Sequence, residues 1–149
     1  MNRYVLTIFC DDIRHEVGGK FSYIGVYSGQ MFVPSFPITL PKLCLAMSVI
    51  TSADTPFRKL AMRLLKDDAV LAEAALDDSQ LSNAVEAFAE VPEDERRDRV
   101  QLLQSMFVLS PFQLEGPCTL RVHIETESGE LRGVGLRIGQ APDENPPGQ

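Results

Sequence analysis

Apolar residues in this chain recur at every second position in one short run after another, and that period limits what it can fold into. The clearest case lies near the C-terminus. Leu120, Val122 and Ile124 alternate with Arg121, His123 and Glu125. Glu127-Ser128-Gly129-Glu130 then turns the chain, and Val134, Leu136 and Ile138 alternate with Gly133, Gly135 and Arg137. A period of two puts successive side chains on opposite faces of a strand, so this hairpin has one apolar and one polar face.

The same period recurs upstream. Tyr4, Leu6, Ile8 and Cys10 share one parity, with Val5, Thr7 and Phe9 on the other. Both faces are apolar enough for a strand in the interior of a sheet. Gly18-Gly19 marks a turn, and Lys20 to Tyr27 follows as a strand rich in aromatic and β-branched residues. Ser28-Gly29 suits a tight turn, with Gln30 to Val33 returning. Pro34, Pro37 and Pro41 confine the next stretch to extended loop. Leu43 to Thr51 and Val100 to Leu109 are further strands.

Residues 57–76 carry a mixed signal. Their Ala, Leu, Arg, Lys and Glu content favours a helix, and Phe57, Leu60 and Leu64 fit a helical stripe. A hairpin with a turn at Lys66-Asp67-Asp68 fits as well, and the neighbouring strands need partners, which favours the hairpin. Asp78 or Ser79 is placed to cap a short helix over Gln80 to Ala89. The expectation is a mainly β fold: an antiparallel β-sandwich, Ig-like or C2-like, of eight or nine strands with one short helix in the middle segment. One domain spans 1–139, and the polar, Pro-rich residues 140–149 form a disordered tail.

Composition narrows the function. The net charge is −7, and from Lys66 to Asp98 eleven acidic residues face three basic ones, so the rest of the chain is nearly neutral. That balance argues against generic nucleic-acid binding, which needs clustered Lys and Arg. No apolar run reaches the ~18 residues of a membrane helix. The N-terminus lacks the pattern of a signal peptide, and Cys10, Cys44 and Cys118 have no disulfide or zinc spacing. A cytoplasmic protein with three buried thiols is the expectation.

Three groups of residues are candidate sites. Asp11, Asp12, His15 and Glu16 could bind a divalent metal or supply a general base. The plainer reading of the same residues is a solvated junction between strand and turn, with Arg14 pairing an Asp. His123, between Arg121 and Glu125, is a candidate pH-sensitive residue, or simply one of a cross-strand pair. Seven of the eleven Phe and Tyr residues fall within the first 36 positions. Phe9 and Phe21 read as core, whereas Tyr27, Phe32 and Phe36 divide between core and a partner interface. Gly19-Lys20 lacks P-loop spacing, and no Ser lies in a GxSxG context.

The segment Phe9-Cys10-Asp11-Asp12-Ile13-Arg14, with Glu16, Gly18-Gly19-Lys20, Ser22 and Ile24-Gly25-Val26-Tyr27, resembles the opening of a family of small bacterial and phage-encoded proteins of unknown function. Pro37, Leu40 and Pro41-Lys42-Leu43 look similar too. The resemblance implies a compact domain that begins with a β-hairpin, in bacterial or mobile-element genomes. It implies no activity.

The leading expectation is therefore a non-catalytic binding module, with another protein or a copy of itself as partner and no cofactor. The competing one is a small metal-dependent enzyme or ligand binder built on Asp11, Asp12, His15 and Glu16. A third, a phage defence or counter-defence factor, follows from the resemblance alone.

Overall fold

The computed structural model describes residues 3–89, 92, 94–95 and 99–142, and for 84–89 the backbone alone. The chain is mainly β. The elements run β1 (Tyr4–His15), β2 (Phe21–Tyr27), β3 (Gln30–Val33), β4 (Ile38–Leu40), β5 (Leu43–Ser52), β6 (Leu60–Lys66), β7 (Ala69–Leu76), α1 (Asp78–Ala89), β8 (Val100–Leu109), β9 (Phe112–Leu114), β10 (Cys118–Thr126) and β11 (Gly129–Gln140). One sheet has the order β2-β1-β5-β8 and the other β3-β11-β10-β6-β7. The two face each other as a sandwich, and the short pair β4-β9 closes the end where β5 starts and β8 stops.

The core follows the parities. Phe9 of β1, Leu43, Leu45, Met47 and Val49 of β5, and Leu103 and Phe107 of β8 point inward from the first sheet. Leu60, Met62 and Leu64 of β6 meet them from the second, with Leu120, Val122 and Ile124 of β10 and Leu136 and Ile138 of β11. Leu81 reaches this core from α1.

Residues 57–76 form the hairpin, β6 with β7, and Asp67 takes the left-handed turn position at φ 51°. Its carboxylate accepts from the Thr119 N–H at 3.1 Å, and its own N–H donates to the Thr119 carbonyl at 2.8 Å, so the turn is clasped to β10.

Three expectations need correction. The described residues form eleven strands, not eight or nine: β4 and β9 are three residues each, too short to show a period. Ser28-Gly29 does not fold β3 back on β2. It carries the chain across to the other sheet, where β3 runs parallel to β11. The cap of α1 is Asp77, whose carboxylate accepts from the Gln80 N–H at 2.8 Å and the Ser79 hydroxyl at 2.7 Å. The Gln80 side chain returns a bond to the Asp77 N–H at 2.9 Å, completing a capping box. β11 runs through Gln140, and the Ala141 N–H donates to the Val33 carbonyl at 2.8 Å. The rest of the expected tail, 143–149, lies outside the described residues.

β11 bends where its register against β10 shifts, between Leu120 and Val122. Gly135 permits this: a Cβ there would stand 2.2 Å from the Leu120 carbonyl oxygen, a backbone atom that cannot turn away. The bend brings β11 against β1, and the Thr7 hydroxyl donates to the Val134 carbonyl at 2.6 Å.

Candidate functional site: an open apolar sheet face

The strands of the first sheet are apolar on both parities, but only one side of that sheet is covered by the second. Cross-strand register fixes what the other side carries. Tyr4, Ile50 and Leu102 stand in one row, Leu6, Ser48 and Gln104 in the next, then Ile8, Ala46 and Met106. Val26, Cys10, Cys44 and Val108 make the fourth row. Strands that are apolar on both faces normally belong to sheets covered on both faces. Here Leu6, Val26, Leu102 and Val108 each keep about half of their surface open, at 54 %, 56 %, 47 % and 54 %.

The face is not flat. In three of the rows β5 presents small side chains, Cys44, Ala46 and Ser48, all but Ser48 buried, and in the first row it presents buried Ile50. Larger side chains flank them, Leu6 and Ile8 from β1 and Met106 and Val108 from β8. The result is a shallow trough about two strand spacings wide, ~10 Å. No charged residue stands in these four rows. At the end of the face the Lys42 ammonium lies 2.7 Å from Asp12, and that contact holds the Asp12 carboxyl below its usual range.

The outer face of the second sheet is the opposite. Arg63 contacts Glu73 at 2.7 Å and Glu125 at 3.0 Å, and Lys59 contacts Glu125 at 2.6 Å. His123 Nδ1 is 3.0 Å from Glu130, which also faces Arg132 at 3.8 Å. These side chains form a cross-strand ion-pair lattice over β7, β6, β10 and β11. A hollow of about 510 Å³ near the β10–β11 turn is lined by Arg3, Ser128 and Leu131 among others, but the Arg3 guanidinium in it is already engaged. It forms a fork with both Glu127 oxygens at 2.8 Å, bonds Thr51 and two backbone carbonyls, and lies 4.6 Å over the Phe57 ring.

The acidic and imidazole candidates of the N-terminal segment are not brought together. Asp11 and Asp12 point to opposite faces of β1. The Asp11 carboxylate lies over Gly25, where a Cβ would come within 2.2 Å of Oδ2, and accepts a hydrogen bond from the Tyr27 hydroxyl. Burial first, and then that bond to Asp11, push the Tyr27 phenol up to about 12. His15 packs edge-on against Phe21, with ring centroids 4.9 Å apart. Glu16 sits in the turn, its N–H bonded to the Lys20 carbonyl at 2.8 Å. Among the described residues no three His, Cys, Asp or Glu side chains gather into a set that could hold a metal ion.

The aromatic candidates separate as well. Tyr27 and Phe36 pack on the core, and Phe32 projects from β3 into solvent. Sequence reasoning on the aromatics missed the four-row face. The signal was present in the two-sided apolarity of β1, β5 and β8, which could equally have meant a strand covered on both sides.

No helix among the described residues is long and apolar enough to cross a membrane. No curated protein and no solved structure matches the chain. A family model matches residues 5–139, nearly the whole described length, and the chain belongs to that family, a family of unknown function (DUF6941).

Proposed function

We propose that this protein is a non-catalytic binding module and that its working surface is the outer face of the β2-β1-β5-β8 sheet. The observation that carries the reading is the uncharged, open, four-row apolar face. In those rows Tyr4, Leu6, Val26, Leu102 and Val108 each leave about half of their surface open, and an apolar patch of a few hundred Å² on a monomer is often a functional surface. At about 25 cal/mol per Å², covering a few hundred Å² returns on the order of 10 kcal/mol before the costs of association. Those costs are of the order of 4–15 kcal/mol, so only a well-fitted protein surface leaves a surplus. An apolar centre with a polar margin, here the Asp12–Lys42 pair, is the anatomy of a protein interface.

Two attributes complete the proposal. Three buried cysteines without a disulfide suit a reducing cytoplasm. The N-terminal motif's resemblance supports a bacterial or phage-genome setting.

Photo-crosslinking amino acids at Leu6 and at Val108, introduced in the expressing cell, test the reading. Covalent protein adducts are expected at both positions and none at Arg121 on the ion-pair face. Silence at Leu6 and Val108, or adducts at Arg121 alone, removes it.

A further inference from the structure

We infer that the occupant of the open face is a second copy of this chain, packed face to face about a two-fold axis. The inference rests on the binding reading above and names its partner.

Shape is the first argument. In a two-fold pairing each surface must fit itself. The trough over Cys44, Ala46 and Ser48 is bordered by ridges one strand wide, and β8, at the edge of the sheet, carries one of them in Met106 and Val108. Set off by one strand, the β8 ridge of each copy enters the β5 trough of the other. Two sheets then meet at the ~10 Å spacing of ordinary sheet packing.

Charge is the second. The chain carries −7, so most ways of bringing two copies together set like charges against each other. The four rows carry no charge, and the Asp12–Lys42 pair at their end is neutral as a unit. This face therefore meets its own copy without setting like charges in direct contact. The ion-pair lattice of the opposite face would be buried at a desolvation cost.

The polar row of the face supplies a third. The Gln104 Nε2 donates to the Ser48 Oγ at 3.2 Å, and that bond uses one of the amide's two N–H groups and leaves its oxygen to accept from elsewhere. A primary amide offers one donor and one acceptor side by side, and the same group in a symmetry mate is its complement. Gln104 pairing with Gln104 across the axis would satisfy the one polar row of the face and fix its register.

Sedimentation equilibrium of the full 149-residue chain tests the inference, at concentrations from about 1 to 200 μM, the range over which micromolar dimers dissociate. A species of twice the chain mass is expected. Leu6→Lys and Val108→Lys each place a charge on a wall that is already half open, so the fold should tolerate them. Each should weaken the dimer at least about tenfold, with an unchanged far-UV circular dichroism spectrum. Val134→Lys, on an exposed apolar side chain of β11 outside this face, should leave the dimer intact. A monomer throughout, with crosslinks from Leu6 or Val108 still reaching a different protein, overturns self-pairing and leaves the binding reading standing. A dimer that survives both Lys variants overturns self-pairing through this face. A monomer with no crosslink at all removes both.

Discussion

Arg3 and Glu127 are far apart in sequence, and together they hold the turn of the last hairpin to the loop after β5. The Arg3 hydrogen bonds are the main reason the Glu127 carboxyl is held down to about 2, and the Arg58 N–H adds to them. A carboxylate whose folded value is depressed contributes stability that is complete above its unfolded value, near the usual Glu range, and is lost as the pH falls through the folded value. The window is therefore roughly pH 4.5 down to 2. Glu127→Gln should cost about 1–3 kcal/mol at pH 7, the range for hydrogen bonds to charged groups. Urea unfolding should show the gap between variant and parent narrowing below about pH 4 and nearly closing by pH 2. A gap that stays constant over this range would show that the fork does not act through the carboxylate charge. Neither partner advertises itself in the sequence, because a charge pair 124 positions apart depends on the whole topology.

At the scale of elements, α1 shows where local chemistry decides and where it stops. Asp77, Asp78 and Ser79 are three consecutive capping residue types, and propensity alone does not choose among them. Gln80 chooses, because its amide reaches back three residues to the Asp77 N–H. Asp77→Ala should fray the first turn of α1, visible as faster hydrogen exchange at the Leu81 amide, which bonds the Asp77 carbonyl. Asp77→Asn should keep most of the protection. Equal protection in all three proteins would count against the capping box. The strands were more legible than the helix start, since alternating burial writes a period of two directly into β10 and β11. The path after β2 was not. Gly29 supplies the positive φ, 83°, that a tight turn needs, but the same backbone serves a return strand or a crossing to the other sheet. Tyr27 was undecided for a related reason: its hydroxyl finds Asp11, across on β1, only because Gly25, two residues earlier on β2, has no side chain in the way.

For the whole molecule, the unequal faces matter most. One outer face is a lattice of ion pairs and the other is apolar and uncharged. The apolarity of the second was legible in β1, β5 and β8, but its openness was not, because a sequence does not record what packs against a strand. Association through that face has a distinct salt response. Salt screens the repulsion between two chains of charge −7 and leaves the uncharged contact untouched. The dimer constant should therefore hold or tighten, changing by no more than about threefold between 50 and 500 mM NaCl. A steep loss of affinity with salt would instead place the contact among Arg63, Glu125 and their neighbours.

Both terminal strands are interior strands of their sheets: β1 lies between β2 and β5, and β11 lies between β3 and β10. A force drawn through the two ends of the chain therefore has no edge strand to peel. It loads the hydrogen bonds on both flanks of each terminal strand in shear, where they share the strain together rather than break one after another.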